Sequence, residues 1–195
     1  MRTLALSLLS ALVSFGCGAS SAAHTDPEAT SAPDVRWQTF RPDGEEFTLE
    51  MPGAPVASQQ QTAGERGTVF SKLFMVDAET TLGAGFIVTV TSGGRFAAPN
   101  ASANEIYDLA RDGALAGTHG TLVSEAPVHV SGLPGREVMI SMDGGQNQIR
   151  ERLVFLNHKL YSIVIMAQAA ATARLNEIAN HYLDSFRLLT VPEGD

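Results

Sequence analysis

The sequence holds a single cysteine, Cys17, in 195 residues. No disulfide can form within the chain, so a packed core has to supply its stability. Positive charge is also scarce: 13 basic residues against 21 acidic ones give a net charge of −8. No cluster of Lys and Arg stands out, which excludes a nucleic-acid partner, because such proteins carry a basic footprint. Attraction to anionic headgroups by charge is excluded for the same reason. No apolar run reaches the ~20 residues that a spanning helix needs. Signatures of chemistry are missing too: there is no Gly-x-Ser-x-Gly elbow, phosphate loop, dinucleotide fingerprint or His-Glu-x-x-His motif. No cofactor is expected. A dispersed Ser/His/Asp triad stays open, because its members need not be close in sequence.

What is present begins at the N-terminus. Arg2 precedes an apolar stretch from Leu4 to Val13 that has the length of a secretory h-region. Cys17 follows it directly, in the run Val13-Ser14-Phe15-Gly16-Cys17-Gly18. This run resembles the end of a bacterial lipoprotein signal peptide, in which the cysteine is lipidated and becomes the first mature residue. Gly16 matches the small residue expected before the cysteine. Ser14 stands where Leu, Val or Ile is usual, with Val13 one place early. Residues 1–16 are therefore expected to be a signal peptide and Cys17 a lipidation site, which places the protein in the bacterial envelope, lipid-anchored and facing the periplasm or exterior. The alternative is an ordinary secretory signal cut near Ala19 to Ala23, with the cysteine removed.

From Gly18 to about residue 35 small and polar residues dominate without any apolar period. This segment reads as a flexible linker, and residues 36–190 as one globular domain long enough to bury a core.

Within the domain the alternation of strands is frequent. Trp37–Phe40, Phe47–Met51, Val56–Thr62, Thr68–Asp77, Thr81–Thr91, Thr121–Val130, Arg136–Met142, Ile149–Leu156 and Leu160–Met166 all read as β. Tight turns at Asp143-Gly144 and Asn157-His158 imply antiparallel pairing. Ser102-Ala-Asn-Glu105 has the form of a capping box and opens a helix that Gly117 suits to stop. From Ala171 to Phe186 a second helix carries one apolar stripe of Leu175, Ile178, Ala179, Tyr182, Leu183 and Phe186. The fold class is α+β, an antiparallel sheet flanked by helices. One core is expected, built from Phe86, Val88, Val90, Leu153, Phe155, Ile163, Ile165, Ile178, Tyr182 and Phe186.

Several of these segments resemble PsbP-like domains. Phe47-Thr48-Leu49-Glu50-Met51-Pro52-Gly53-Ala54-Pro55 is similar to their opening strand and turn. Gly132-Leu133-Pro134-Gly135-Arg136 resembles the turn into their central hairpins. Arg152-Leu153-Val154-Phe155 with Lys159-Leu160-Tyr161-Ser162-Ile163 resembles the paired strands before the last helix, and Tyr182-Leu183-Asp184-Ser185-Phe186 resembles the ending. The resemblance implies an α/β/α sandwich. It implies an accessory or assembly role at a membrane complex and carries no catalytic residue.

Two side-chain groups could bind something. Glu177, His181 and Asp184 share one face of the last helix, and an imidazole with two carboxylates could hold a divalent metal. The competing reading is a solvated helix face with an ordinary i,i+4 pair, and no metal is expected. Gln148, Arg150 and Arg152 share a parity, with Arg136 nearby, and could cup an anion. The competing reading is the wet face of a sheet. His119, His129 and His158 stand alone. The reading favoured overall is a membrane-tethered, non-catalytic module with an envelope protein partner. A small-ligand- or metal-binding domain is second and a hydrolase third.

Overall fold

The computed structural model describes residues 35–169 and 173–189. Cys17 and the expected signal and linker up to residue 34 lie outside the described residues.

The segment order is β1 (Gln38–Phe40), β2 (Phe47–Met51), β3 (Val56–Gly64), β4 (Gly67–Ala78), α1 (Glu79–Leu82), β5 (Ala84–Gly93), α2 (Ala103–Thr118), β6 (Thr121–Val130), β7 (Leu133–Met142), β8 (Asn147–Leu156), β9 (Lys159–Gln168), α3 (Ala173–Ser185) and β10 (Arg187–Leu188). Seven strands form an antiparallel sheet in the order β3-β4-β5-β9-β8-β7-β6. A small sheet, β1-β2-β10, lies against it. The α+β class and the antiparallel sheet with flanking helices are as the sequence predicts.

Alternation divides the apolar residues between the two faces of the large sheet. On one face Phe86, Val88, Val154, Tyr161, Ile163 and Ile165 meet Ile178, Ala179, Tyr182 and Leu183 of α3, together with Phe47, Leu49 and Met51 of β2. Phe47 stacks on Phe186 at 5.3 Å, and Phe86 meets Tyr182 edge-on at 5.1 Å. On the other face Val138, Ile140, Ile149 and Leu153 pack against Ile106 and Tyr107 of α2. The single core expected from the sequence is thus two cores. Leu153 and Phe155 have the opposite parity to Val154, so they point away from Phe86.

Local chemistry accounts for three further departures. Ser102 has extended backbone but makes no side-chain cap hydrogen bond, so the expected capping box with Glu105 does not form. α2 runs one residue past Gly117 and ends at His119, which takes the left-handed conformation that closes many helices. The turn expected over Gly132–Gly135 is shifted: Ser131 and Gly132 have φ of 52° and 81°, and the strand resumes at Leu133. Gly135 is needed for a different reason, because a Cβ there would lie 2.5 Å from the Leu153 carbonyl oxygen.

Candidate interaction surface

The sheet is unevenly covered. α3 and the small sheet lie over one face, whereas on the other α2 packs mainly on β7 and β8, and the short turn Gly94–Ala97 covers one end of β4, β5 and β9. Between these covers the register leaves an apolar row from β3 across β4 and β5 to β9, where it meets the α2 core. Val56 stands beside Met75, Met75 beside Ile87, and Ile87 beside Val164. Leu73 and Met166 flank this row on the same face. Val56 is 70 % exposed, and Leu73, Met75, Ile87, Val164 and Met166 are only half-buried. Leu73, Met75 and Ile87 belong to neither core cluster.

The row ends at a carboxyl. Val164 is paired with Glu151 of β8, whose residue exposure is only 6 %. Ser162 Oγ donates a hydrogen bond to Glu151 Oε1, while Oε2 has no partner. Burial pushes the Glu151 carboxyl up to about 7, with the Ser162 bond opposing the rise. The sequence does carry a signal for this residue. In Ile149-Arg-Glu151-Arg-Leu153 the acidic side chain occupies an inward, apolar position, and the run of charges beside it disguises that parity.

The three candidate arginines do not form one cup. Arg152 pairs with Glu137 and Arg136 with Leu153, so Arg136 projects from the opposite face to Arg150 and Arg152. The expected grouping fails because alternation separates residues of unlike parity on paired strands. Each guanidinium also meets carboxylates of the chain itself. Glu137 accepts from Arg150 Nε at 2.9 Å and from Arg152 Nε at 2.7 Å. Burial works to raise the Glu137 carboxyl, but the two guanidinium groups outweigh it and hold it below its ordinary value. Arg150 Nη1 reaches Asn180 Oδ1 at 2.6 Å, and Arg152 also pairs with Asp184. On the other face Arg136 Nη1 contacts Asp108 at 2.5 Å and Glu125 at 2.6 Å, and its guanidinium lies 5.3 Å from the centre of the Tyr107 ring. Hydrogen bonding from Arg136 holds the Asp108 carboxyl low.

The acidic and imidazole groups of α3 are likewise drawn apart. His181 Nε2 lies 2.5 Å from Glu50 Oε2 on β2, and its ring packs on Trp37 at 4.3 Å. Asp184 turns to Arg152 instead. Glu177 is exposed. Among the described residues no three His, Cys, Asp or Glu side chains converge in a way suited to a metal. Glu45 escaped the sequence reading altogether. Its side chain is 4 % exposed and bridges Lys72 at 2.6 Å and Lys159 at 3.5 Å.

The described residues carry two open depressions. One of about 310 Å³ is lined by Phe40, Arg41, Asp43, Gln59, Lys72 and Phe74, among others. One of about 250 Å³ contains the already paired Glu125 and Arg136. No helix among the described residues is long and apolar enough to cross a membrane.

No protein-family model matches the chain, and no curated protein matches it in sequence. Solved structures do match in shape. The solution structure of PsbP from the cyanobacterium Synechocystis sp. PCC 6803 has a TM-score of 0.55 at 9% identity, over 83% of this chain and 98% of that one. A protein from Bacteroides thetaiotaomicron has a TM-score of 0.46 at 12% identity, over 80% of this chain and 49% of that one. The type VI secretion immunity protein TplEi from Pseudomonas aeruginosa has a TM-score of 0.41 at 20% identity, over 66% and 47%. The order of strands and helices, the two-faced sheet and the full-length match to the cyanobacterial protein together give this chain a PsbP-like fold.

Proposed function

We propose that the protein is a non-catalytic interaction module, tethered to an envelope membrane through lipid on Cys17 and docking an envelope protein on the open half of its sheet. The observation that carries this is the apolar row Val56–Met75–Ile87, which belongs to neither core cluster and ends at Val164 against the α2 core. Contiguous apolar surface of this kind marks an interaction site more often than scattered apolar residues do. The PsbP-like fold supports the reading, since the resemblance in sequence implies an accessory role. The tether rests on the placement of the lone cysteine at the end of the signal-like segment. Two acyl chains, at ~0.8 kcal/mol per buried CH₂, give stable anchoring without any charge on the domain.

Two measurements test it. In membrane fractionation, Cys17→Ser moves the protein to the soluble fraction. If wild type and variant are both soluble, the tether is wrong. A photo-crosslinking side chain placed at Met75 captures a defined envelope protein in living cells, and the same side chain at exposed Glu177 on the far face does not. Equal capture at both positions removes the open face as the docking surface.

A further inference from the structure

The two edges of the large sheet are built differently, and the difference has a partner in view. At one edge β6 carries Pro127, which cannot donate, Glu125, and a register shift between Leu122 and Ser124. All three obstruct the addition of another strand. At the other edge β3 reads Val-Ala-Ser-Gln-Gln-Gln-Thr-Ala-Gly, with every residue exposed. It has no charge, no proline and no break in register against β4. Nine residues is also long for an edge strand. Among the described residues β3 pairs with β4 alone.

The hairpin fixes which backbone groups are free. The register closes on Gly64↔Gly67, and hydrogen-bonded and non-hydrogen-bonded pairs alternate from there. Ala57, Gln59, Gln61 and Ala63 therefore turn their N–H and C=O groups away from β4.

We propose that β3 pairs antiparallel with β3 of a second copy of this chain, about a two-fold axis at Gln60, joining two seven-stranded sheets into one. This register uses all four outward residues: Ala57 meets Ala63 of the second copy, and Gln59 meets Gln61. Three features favour a second copy over an unrelated strand. A two-fold axis sets β3 against itself, and an uncharged strand brings no like charges together. Glutamine amides are both donor and acceptor, so Gln59, Gln60 and Gln61 complement their own copies. Beyond Gly64, the charged Glu65 and Arg66 fall opposite Pro55 and Ala54 rather than opposite themselves. The net charge of −8 opposes association only at long range, where salt screens it. The pairing does not depend on the docking face or on the tether.

The test uses the full chain carrying Cys17→Ser, followed by analytical ultracentrifugation and by oxidation of single-cysteine variants. Gln60→Cys sets two thiols across the axis at a non-hydrogen-bonded pair, where Cα atoms sit about 4.5 Å apart, within disulfide reach. The expected result is a concentration-dependent dimer whose share rises with salt. Gln60→Cys crosslinks on mild oxidation, whereas Ser58→Cys, opposite Thr62 of the second copy, does not. Gln60→Lys opposes two ammonium groups, and Gln61→Pro removes one outward donor while sparing the ladder to β4. Both abolish the dimer without shifting the far-ultraviolet circular dichroism. A wild-type chain that stays monomeric at all concentrations overturns the proposal. So does a dimer that survives both variants, or Ser58→Cys crosslinking as readily as Gln60→Cys.

Discussion

Ser162 donates its hydroxyl hydrogen to Glu151 from the neighbouring strand, and this is the one bond that the buried carboxyl makes. One donor does not repay the desolvation of a charge, so the neutral acid is the form the fold prefers. The carboxyl closes the inner end of the apolar row, and burial there raises it to about 7, so its charge state changes close to neutral pH.

This gives Glu151 a defined pH signature. Its value is raised from 4.5 to about 7, so its contribution is intact below pH 4.5 and is lost as pH rises through 7. The loss above that range is on the order of 3 kcal/mol. Glu151→Gln keeps an acceptor for Ser162 and removes the charge. The variant is expected to melt higher than wild type at pH 8, with the gap shrinking toward pH 4.5. A constant gap across that range would show that charge is not what destabilises the native residue.

Glu137 bends the profile the other way. Its carboxyl is held below its ordinary value, so its stabilisation is present above about pH 4.5 and lost as pH falls through the lowered value. Glu137→Gln leaves Arg150 and Arg152 without their shared acceptor charge. The expected cost is about 1–3 kcal/mol at neutral pH, vanishing in acid. Urea denaturation of both proteins at pH 7 and pH 3 reads the difference directly.

Gly135 makes a third case, in which shape decides. A methyl group there meets the Leu153 carbonyl oxygen at 2.5 Å and Val130 Cγ2 at 3.0 Å. Backbone cannot step aside as a side chain can, so Gly135→Ala should cost about 1–3 kcal/mol. Gly132→Ala meets no atom within 4 Å but carries a φ of 81°, so it strains the turn instead. Melting the two variants side by side separates crowding from backbone strain: Gly135→Ala should disturb amide signals of β8, and Gly132→Ala should not.

How much of this could be read beforehand follows from what alternation can and cannot encode. Each strand shows in its own residues, and tight turns force antiparallel neighbours, so the sheet and its class were legible. The division of the core was not. Leu153 and Val154 are equally apolar, and only pairing with β7 and β9 decides which face each one joins. The arginines failed for the same reason. Arg150 and Arg152 share a strand, and their common side was evident, but placing Arg136 required the register Arg136↔Leu153. The three α3 residues do lie on the exposed side of the helix. The partners that pull His181 and Asp184 apart, Glu50 and Arg152, come from strands distant in sequence, and no helical spacing can announce them. Glu45 was invisible because its burial depends on Lys72 and Lys159 converging from two other strands.

The small sheet has a consequence for how the chain reaches this state. Leu188 pairs with Phe47, and the Glu50 N–H donates to the Ser185 hydroxyl, 135 residues away in sequence. Closing so long a loop costs entropy that only the finished contacts repay. Until Phe186 and Leu188 are available, β2 has no partner on one side and Phe47 no ring to stack on. β2 is thus completed by residues far along the sequence. A domain cut back by its last helical turn and β10 would lose the lock on β2 as well, so this early strand is secured on that side only by contacts that lie far along the sequence.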